Sequence, residues 1–170
     1  TIDDILRFNY APKNNYNLLD KSMWSVNWEK KIDYIEYQFS QMSKKYKNIN
    51  EGINYYLGIW ENAISYYNDN VILKQEVKFV CHKRLGINTD LLEFLNPLNF
   101  VVDYKERDIG DYLKSYIINE KYTFDKLKNI LNKLSHDKND ASRLITRIMF
   151  PSFYFDKYEE IIINEELRIK

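Results

Sequence analysis

The chain has 170 residues, a length that suits one domain with a full core. Apolar residues make up 45% and charged residues 29%, and 25 basic side chains balance 25 acidic ones. That balance speaks against a nucleic-acid footprint or attraction to an anionic membrane surface, and no apolar run reaches the length of a membrane span. A single cysteine excludes an internal disulfide and suits a reducing cytoplasm; with two distant histidines it gives no zinc spacing. The 15 tyrosines predict a core, or one face, that is aromatic and partly polar.

In chain order, Ile2, Ile5 and Leu6 predict a short helix with Asp3 and Asp4 in its first turn, and the Asn- and Pro-containing stretch 9–17, with Pro12, reads as a loop. From Asn27 to Lys47 the residues Trp28, Ile32, Ile35, Phe39, Met42 and Tyr46 recur in steps of four and three, which predicts one buried helical stripe. A second helix is expected to open at Asn50, with Ile53, Tyr56, Leu57, Trp60, Ile64 and Tyr67 inward. Gly58 within it costs about 1 kcal/mol against alanine and so predicts close approach of another backbone. Glu61 and Asn62 read as solvent-facing, and Asn68-Asp69-Asn70 as the end of the helix.

Val77–Cys81 and Leu98–Val102 have the length and residue types of short buried strands, with one helical turn expected over Thr89–Leu95. A helix follows from Glu106 to Asn119 (Ile109, Tyr112, Leu113, Tyr116 and Ile117 inward). Thr123 is expected to cap the next, with Phe124, Leu127, Ile130, Leu131 and Leu134 inward. Asp140 or Asn139 caps a third with Leu144, Ile145 and Ile148 inward. Pro151 breaks that helix and suits the first turn of the last one, where Phe153, Phe155, Tyr158, Ile161 and Ile162 pack. The expected architecture is mainly α with a small central β element, as one domain over 1–170.

The chemistry-bearing residues cluster at the two strand ends. A lone His82 there is more commonly a satisfied structural residue than a base. Asp103 has the chemistry of a Mg²⁺ ligand, and an Asx turn or helix cap is the plainer reading. Asp108 complements the dipole at the start of a helix and can orient the loop after His82. Cys81 reads as a small buried hydrophobe. No glycine-rich phosphate loop, nucleophile elbow or His-Glu-x-x-His run occurs. An imidazole, the Arg84 guanidinium and one acid are expected to converge on a shared cleft.

A strand, His-x-x, a loop, a second strand ending in Asp, and Arg-Asp opening a helix together resemble the C-terminal lobe of aminoglycoside and choline kinase-like proteins. The ordered series is longer. It includes Trp28-Glu29-Lys30-Lys31 with Asp33, and Tyr55-Tyr56-Leu57-Gly58 running into Glu61-Asn62-Ala63-Ile64-Ser65-Tyr66. It continues with Cys81-His82-Lys83-Arg84 and with Val102-Asp103 before Arg107-Asp108-Ile109. Over nearly the whole chain this series resembles the spore-coat-associated branch of that superfamily (CotS group, YutH type).

The resemblance implies an aminoglycoside phosphotransferase-type C-terminal lobe, with the nucleotide-binding N-terminal lobe absent from these residues. It places the family's catalytic-loop His on His82 and its second metal ligand on Asp103. Its Mg²⁺-binding Asn falls on Asn88, one residue short of the usual spacing. Its catalytic Asp falls on Arg84, and a guanidinium stays protonated and cannot act as a base. Phosphoryl transfer needs nucleotide, metal and a placed nucleophile together. The implied function is a non-catalytic spore-coat component in coat assembly or ligand binding, with coat proteins as partners and a small-molecule ligand as a further option. It would act in the mother-cell cytoplasm and the spore coat. The alternative is a small-molecule phosphotransferase using ATP and Mg²⁺, represented by its C-terminal lobe.

Overall fold

The computed structural model describes residues 2–9, 17–42, 47–72, 77–119, 123–134 and 137–168. Its elements run α1 (Ile2–Asn9), α2 (Trp24–Met42), α3 (Lys47–Asn70), β1 (Phe79–His82), α4 (Leu91–Leu95), a 3₁₀ turn (Pro97–Asn99), β2 (Phe100–Asp103), α5 (Glu106–Ile118), α6 (Phe124–Leu134), α7 (Lys138–Met149) and α8 (Ser152–Arg168). The molecule is thus mainly α around one antiparallel pair of strands, in the register Val80↔Val102 and Cys81↔Val101. Among the described residues no helix is long and apolar enough to cross a membrane.

Two apolar clusters flank that pair. The larger joins Trp24, Trp28, Ile32 and Ile35 of α2 to Ile53, Leu57, Trp60 and Ile64 of α3, and is closed by Phe150, Phe155 and Tyr158. Trp28 stacks on Phe150 at 4.1 Å between ring centroids, and each such buried ring contributes about 1.5–3 kcal/mol. The smaller cluster gathers Ile5, Leu85, Ile109, Leu113 and Leu144, with one side of α6 half-buried against it.

The stripes of α2 and α3 fall where the 3.6-residue period puts them, and Glu61 and Asn62 are exposed. The boundaries differ for local reasons. The α2 helix starts at Trp24, three residues early, because the segment before it is tied to β2: Val102 N–H donates to the Leu19 carbonyl at 3.0 Å and Lys21 N–H to the Val102 carbonyl at 2.8 Å. The α3 helix opens at Lys47. Both strands begin two residues later than expected. At β2 the Asn96 side chain accepts from Leu98 N–H at 3.0 Å and turns Pro97–Asn99 into a 3₁₀ turn, leaving Leu98 77% exposed.

Several inward assignments are corrected. Phe124, Ile117, Phe153 and Ile161 are exposed. On α7 Leu144 is buried and Ile148 packs half-buried against the smaller cluster, but most of the buried face is polar: Ser142, Arg143, Thr146 and Arg147. Its cap is Asp137, which accepts from Asp140 N–H at 2.8 Å, while Asn139 seals the end of α3 through both Ile72 N–H and the Ile72 carbonyl. Gly58 has open space where a Cβ would stand. The close approach occurs at Gly110, where a Cβ would lie 2.6 Å from Arg147 Cγ. The loop at Pro12, Tyr46, and the side chains of Met42 and Ile162 lie outside the described residues.

Candidate functional site

The two strands end side by side and deliver His82 and Asp103 to the first turn of α5, which supplies Glu106, Arg107 and Asp108. All but Arg107 are at most 3% exposed. His82 is satisfied at every polar atom of its ring and amide. Its Nδ1 lies 2.7 Å from Asp108 Oδ2, its Nε2 2.9 Å from the Phe94 carbonyl, and its N–H donates to Asp108 Oδ1 at 2.8 Å. Phe8, Phe94 and Phe100 wall in the ring, with centroids at 4.7, 4.5 and 5.4 Å.

The Phe94 carbonyl only accepts, so Nε2 donates to it, and a charge on the ring comes with a second proton at Nδ1, held against Asp108. Burial opposes that charge, but the Asp108 hydrogen bond and charge and the Phe94 carbonyl outweigh it and raise the His82 pKa. Burial likewise pushes Asp108 up, against the pull of the imidazole and the His82 N–H. The pair titrates as a unit.

Asp103 is fully buried. Its Oδ1 accepts from the Trp24 indole at 2.7 Å and from Tyr104 N–H at 2.8 Å, and its Oδ2 takes Arg107 Nη1 at 2.7 Å. Arg107 also donates through Nε to the His82 carbonyl at 2.6 Å and through Nη2 to the Lys83 carbonyl at 2.7 Å. One guanidinium therefore ties the end of β1, the end of β2 and the start of α5. A charge-assisted set of this kind is roughly twice as strong as neutral hydrogen bonds. A cation at Asp103 would have to displace Arg107 or Trp24. Among the described residues no three His, Cys, Asp or Glu side chains form a group that could hold a metal.

The expected convergence of His82, Arg84 and an acid on one cleft is corrected. His82, Asp103 and Asp108 do come together, but in a buried knot, and the guanidinium that joins them belongs to Arg107. Arg84 points outward with its side chain 75% exposed, and its Nη2 lies 2.9 Å from Asp156 Oδ1 of α8. Arg84 and Asn88 line a cleft of about 800 Å³ between the loop after β1, α5 and the start of α8.

The cleft floor is Asp111 and Lys114. Arg147 grips Asp111 through two bonds of 2.8 Å, and Lys114 Nζ donates to the Phe150 carbonyl at 2.8 Å and to Ser152 Oγ at 3.0 Å. Burial pulls Lys114 down to about 8, which Asp111 partly opposes. Burial opposes ionisation of Asp111, but Arg147 and Lys114 still hold its carboxyl low. Nearby, burial pushes Glu106 up to about 7.

Sequence reasoning missed Trp24, Glu106, Asp111 and Arg147. Asp103–Arg107 has the i,i+4 spacing of an ion pair and was legible in principle. Asp111–Arg147 joins two helices 36 residues apart and carries no local signal.

The family described as "Spore coat putative kinase YutH" matches residues 8–170. A curated relative, the endospore coat-associated protein YutH of Bacillus subtilis (strain 168), is 26% identical over 160 residues, covering 84% of this chain and 47% of the relative. The chain therefore spans about half the length of that relative. No solved structure matches it.

Proposed function

This chain belongs to the spore coat YutH family, and from that membership we propose that residues 1–170 form the C-terminal lobe of a kinase-like, spore-coat-associated protein without catalytic turnover. The protein acts in coat assembly or in ligand binding, with other coat proteins as its partners. It meets them in the mother-cell cytoplasm and in the coat.

The observation that carries this reading is Arg84 at the position where the resemblance puts a general base. Arg84 cannot accept a proton, and its guanidinium is engaged with Asp156. Support comes from Asp103, whose oxygens already accept from Trp24, Tyr104 and Arg107. Asp103, the carboxylate that would bind Mg²⁺, serves instead with Arg107 to lock two strand ends to a helix. Positioning without a base leaves binding as the use of the lobe.

The cleft beside Arg84 and Asn88 favours a second reading. Its size is that of a small-molecule site, so a phosphotransferase acting on a small hydroxyl substrate is the alternative. Here ATP and Mg²⁺ would be needed, with Asp103 and Asn88 as the metal side chains. The test is a thermal melt of the full-length polypeptide with and without ATP and Mg²⁺, beside fractionation of spores into coat and core. Coat enrichment with an unmoved melt is expected. A nucleotide-dependent rise in the melting temperature supports the enzyme instead.

A further inference from the structure

Between the two strands the chain carries Leu91, Leu92, Leu95 and Leu98, which are 70%, 84%, 56% and 77% exposed. No residue of α4 is buried. The spacing puts Leu91, Leu92 and Leu95 on one side of that helix, with Leu98 in the turn that follows. Singly exposed leucines need no explanation, but a contiguous apolar group of this kind marks an interaction face.

The segment is also pinned from beneath. Asp90 caps α4 by accepting from Glu93 N–H at 2.8 Å. The Phe94 carbonyl takes the His82 ring, and Phe94 itself packs on Phe8 at 5.4 Å. Lys83 grips the Leu98 carbonyl with Nζ and the Asn99 carbonyl with its N–H, both at 2.7 Å. The buried knot thus holds the inner side of this segment and presents the leucines outward as a ridge.

One observation says what covers it: the curated relative has about as much polypeptide again as the part this chain matches. At one end of the ridge Leu91 also borders a hollow of about 350 Å³ with Asp4, Ile5 and Phe94. We propose that the leucine ridge is the seat of a second lobe of the longer family polypeptide, which lays an apolar face of its own over Leu91, Leu92, Leu95 and Leu98. This rests on the reading of the chain as one lobe of two. It gives the loop between the strands a task, that of joining the lobes, in place of catalysis.

The test is cysteine accessibility. Cys81 is fully buried and adds little background. Leu92→Cys is prepared in the 170-residue chain and in the full-length polypeptide that carries it, with Tyr37→Cys of α2, 65% exposed, as the control. Alkylation by a maleimide is timed, and light scattering gives the mass. The expected result is fast labelling of Leu92→Cys in the 170-residue chain and at least about tenfold slower labelling in the longer polypeptide, with Tyr37→Cys equal in both. Equal rates for Leu92→Cys overturn the proposal. So does protection within the 170-residue chain that rises with concentration and dimer mass, which makes a second copy the occupant. A natural polypeptide with no further lobe overturns it as well. Protection beneath an added lobe that lacks a nucleotide-binding fold keeps the docking and rejects the kinase-like reading; an exposed Leu92 beside a nucleotide-binding lobe does the reverse.

Discussion

Arg107 meets Asp103 at 2.7 Å, Nη1 to Oδ2, where β2 turns into α5. The Asp103 side chain is wholly buried and that of Arg107 is 11% exposed, so the carboxylate has no water to fall back on. The same guanidinium holds the His82 and Lys83 carbonyls. The pair is therefore the joint between both strands and the helix that follows them.

Breaking the joint from one side leaves a buried charge uncompensated. Arg107→Ala is expected to cost about 3–5 kcal/mol of unfolding free energy. Asp103→Asn keeps acceptors for the Trp24 indole and Tyr104 N–H and costs less. Urea unfolding of both single variants and the double variant measures the coupling. A coupling energy near zero would mean that the pair contributes no more than a surface contact.

Stability should fall as the pH is raised from about 5 to about 8. Glu106 has its pKa raised from 4.5 to about 7 by burial. Between those values the folded state binds more protons than the unfolded state, so folding loses free energy with rising pH. His82 acts in the same direction: its raised folded pKa gives stability that is present below the unfolded value of 6.5 and is lost as pH climbs through the folded one. The Glu106 contribution is on the order of 3 kcal/mol across its whole window. Denaturant melts at successive pH values should show that slope, and Glu106→Gln should flatten its lower part. An unchanged slope in Glu106→Gln would remove Glu106 as its source.

Two of the helical glycines, Gly58 and Gly110, should respond oppositely to alanine. Gly58 faces open space, so Gly58→Ala is expected to stabilise by up to about 1 kcal/mol. At Gly110 the new Cβ would meet Arg147 Cγ at 2.6 Å and Cβ at 2.8 Å, and overpacking of that kind costs about 1–3 kcal/mol. Since Arg147 also holds Asp111, Gly110→Ala should loosen the cleft floor too. Melting temperatures that move in the same direction for both variants would contradict this packing.

How far the fold could be read from the residues depended on what closes each face. Trp28, Ile32, Ile35, Ile53, Trp60 and Ile64 are buried, and their apolar period carried the body of α2 and α3 but not where either helix starts. The two strands were legible from Phe79-Val80-Cys81 and Phe100-Val101-Val102, although the 3₁₀ turn set by Asn96 moved their limits. The inner face of α7 was not legible, because ion pairs and hydrogen bonds close it and hydrophobic periodicity does not register Arg143 or Arg147. Trp24 was missed for a similar reason, since its partner Asp103 lies 79 residues away. At the site, the residue list came from the resemblance and from the strand ends. What no local pattern carried was the division of those residues, with His82, Asp103 and Asp108 turned inward around Arg107 and Arg84 and Asn88 left on the cleft.

Mg²⁺-dependent phosphate release from ATP by the full-length polypeptide, wild type beside Asp103→Asn, separates a structural knot from a working centre most directly. With Arg84 in place of a base and Asp103 held by Arg107 and Trp24, neither protein should release phosphate above the buffer rate. Steady turnover by the wild type that disappears in a folded Asp103→Asn would show that this carboxylate binds the metal after all.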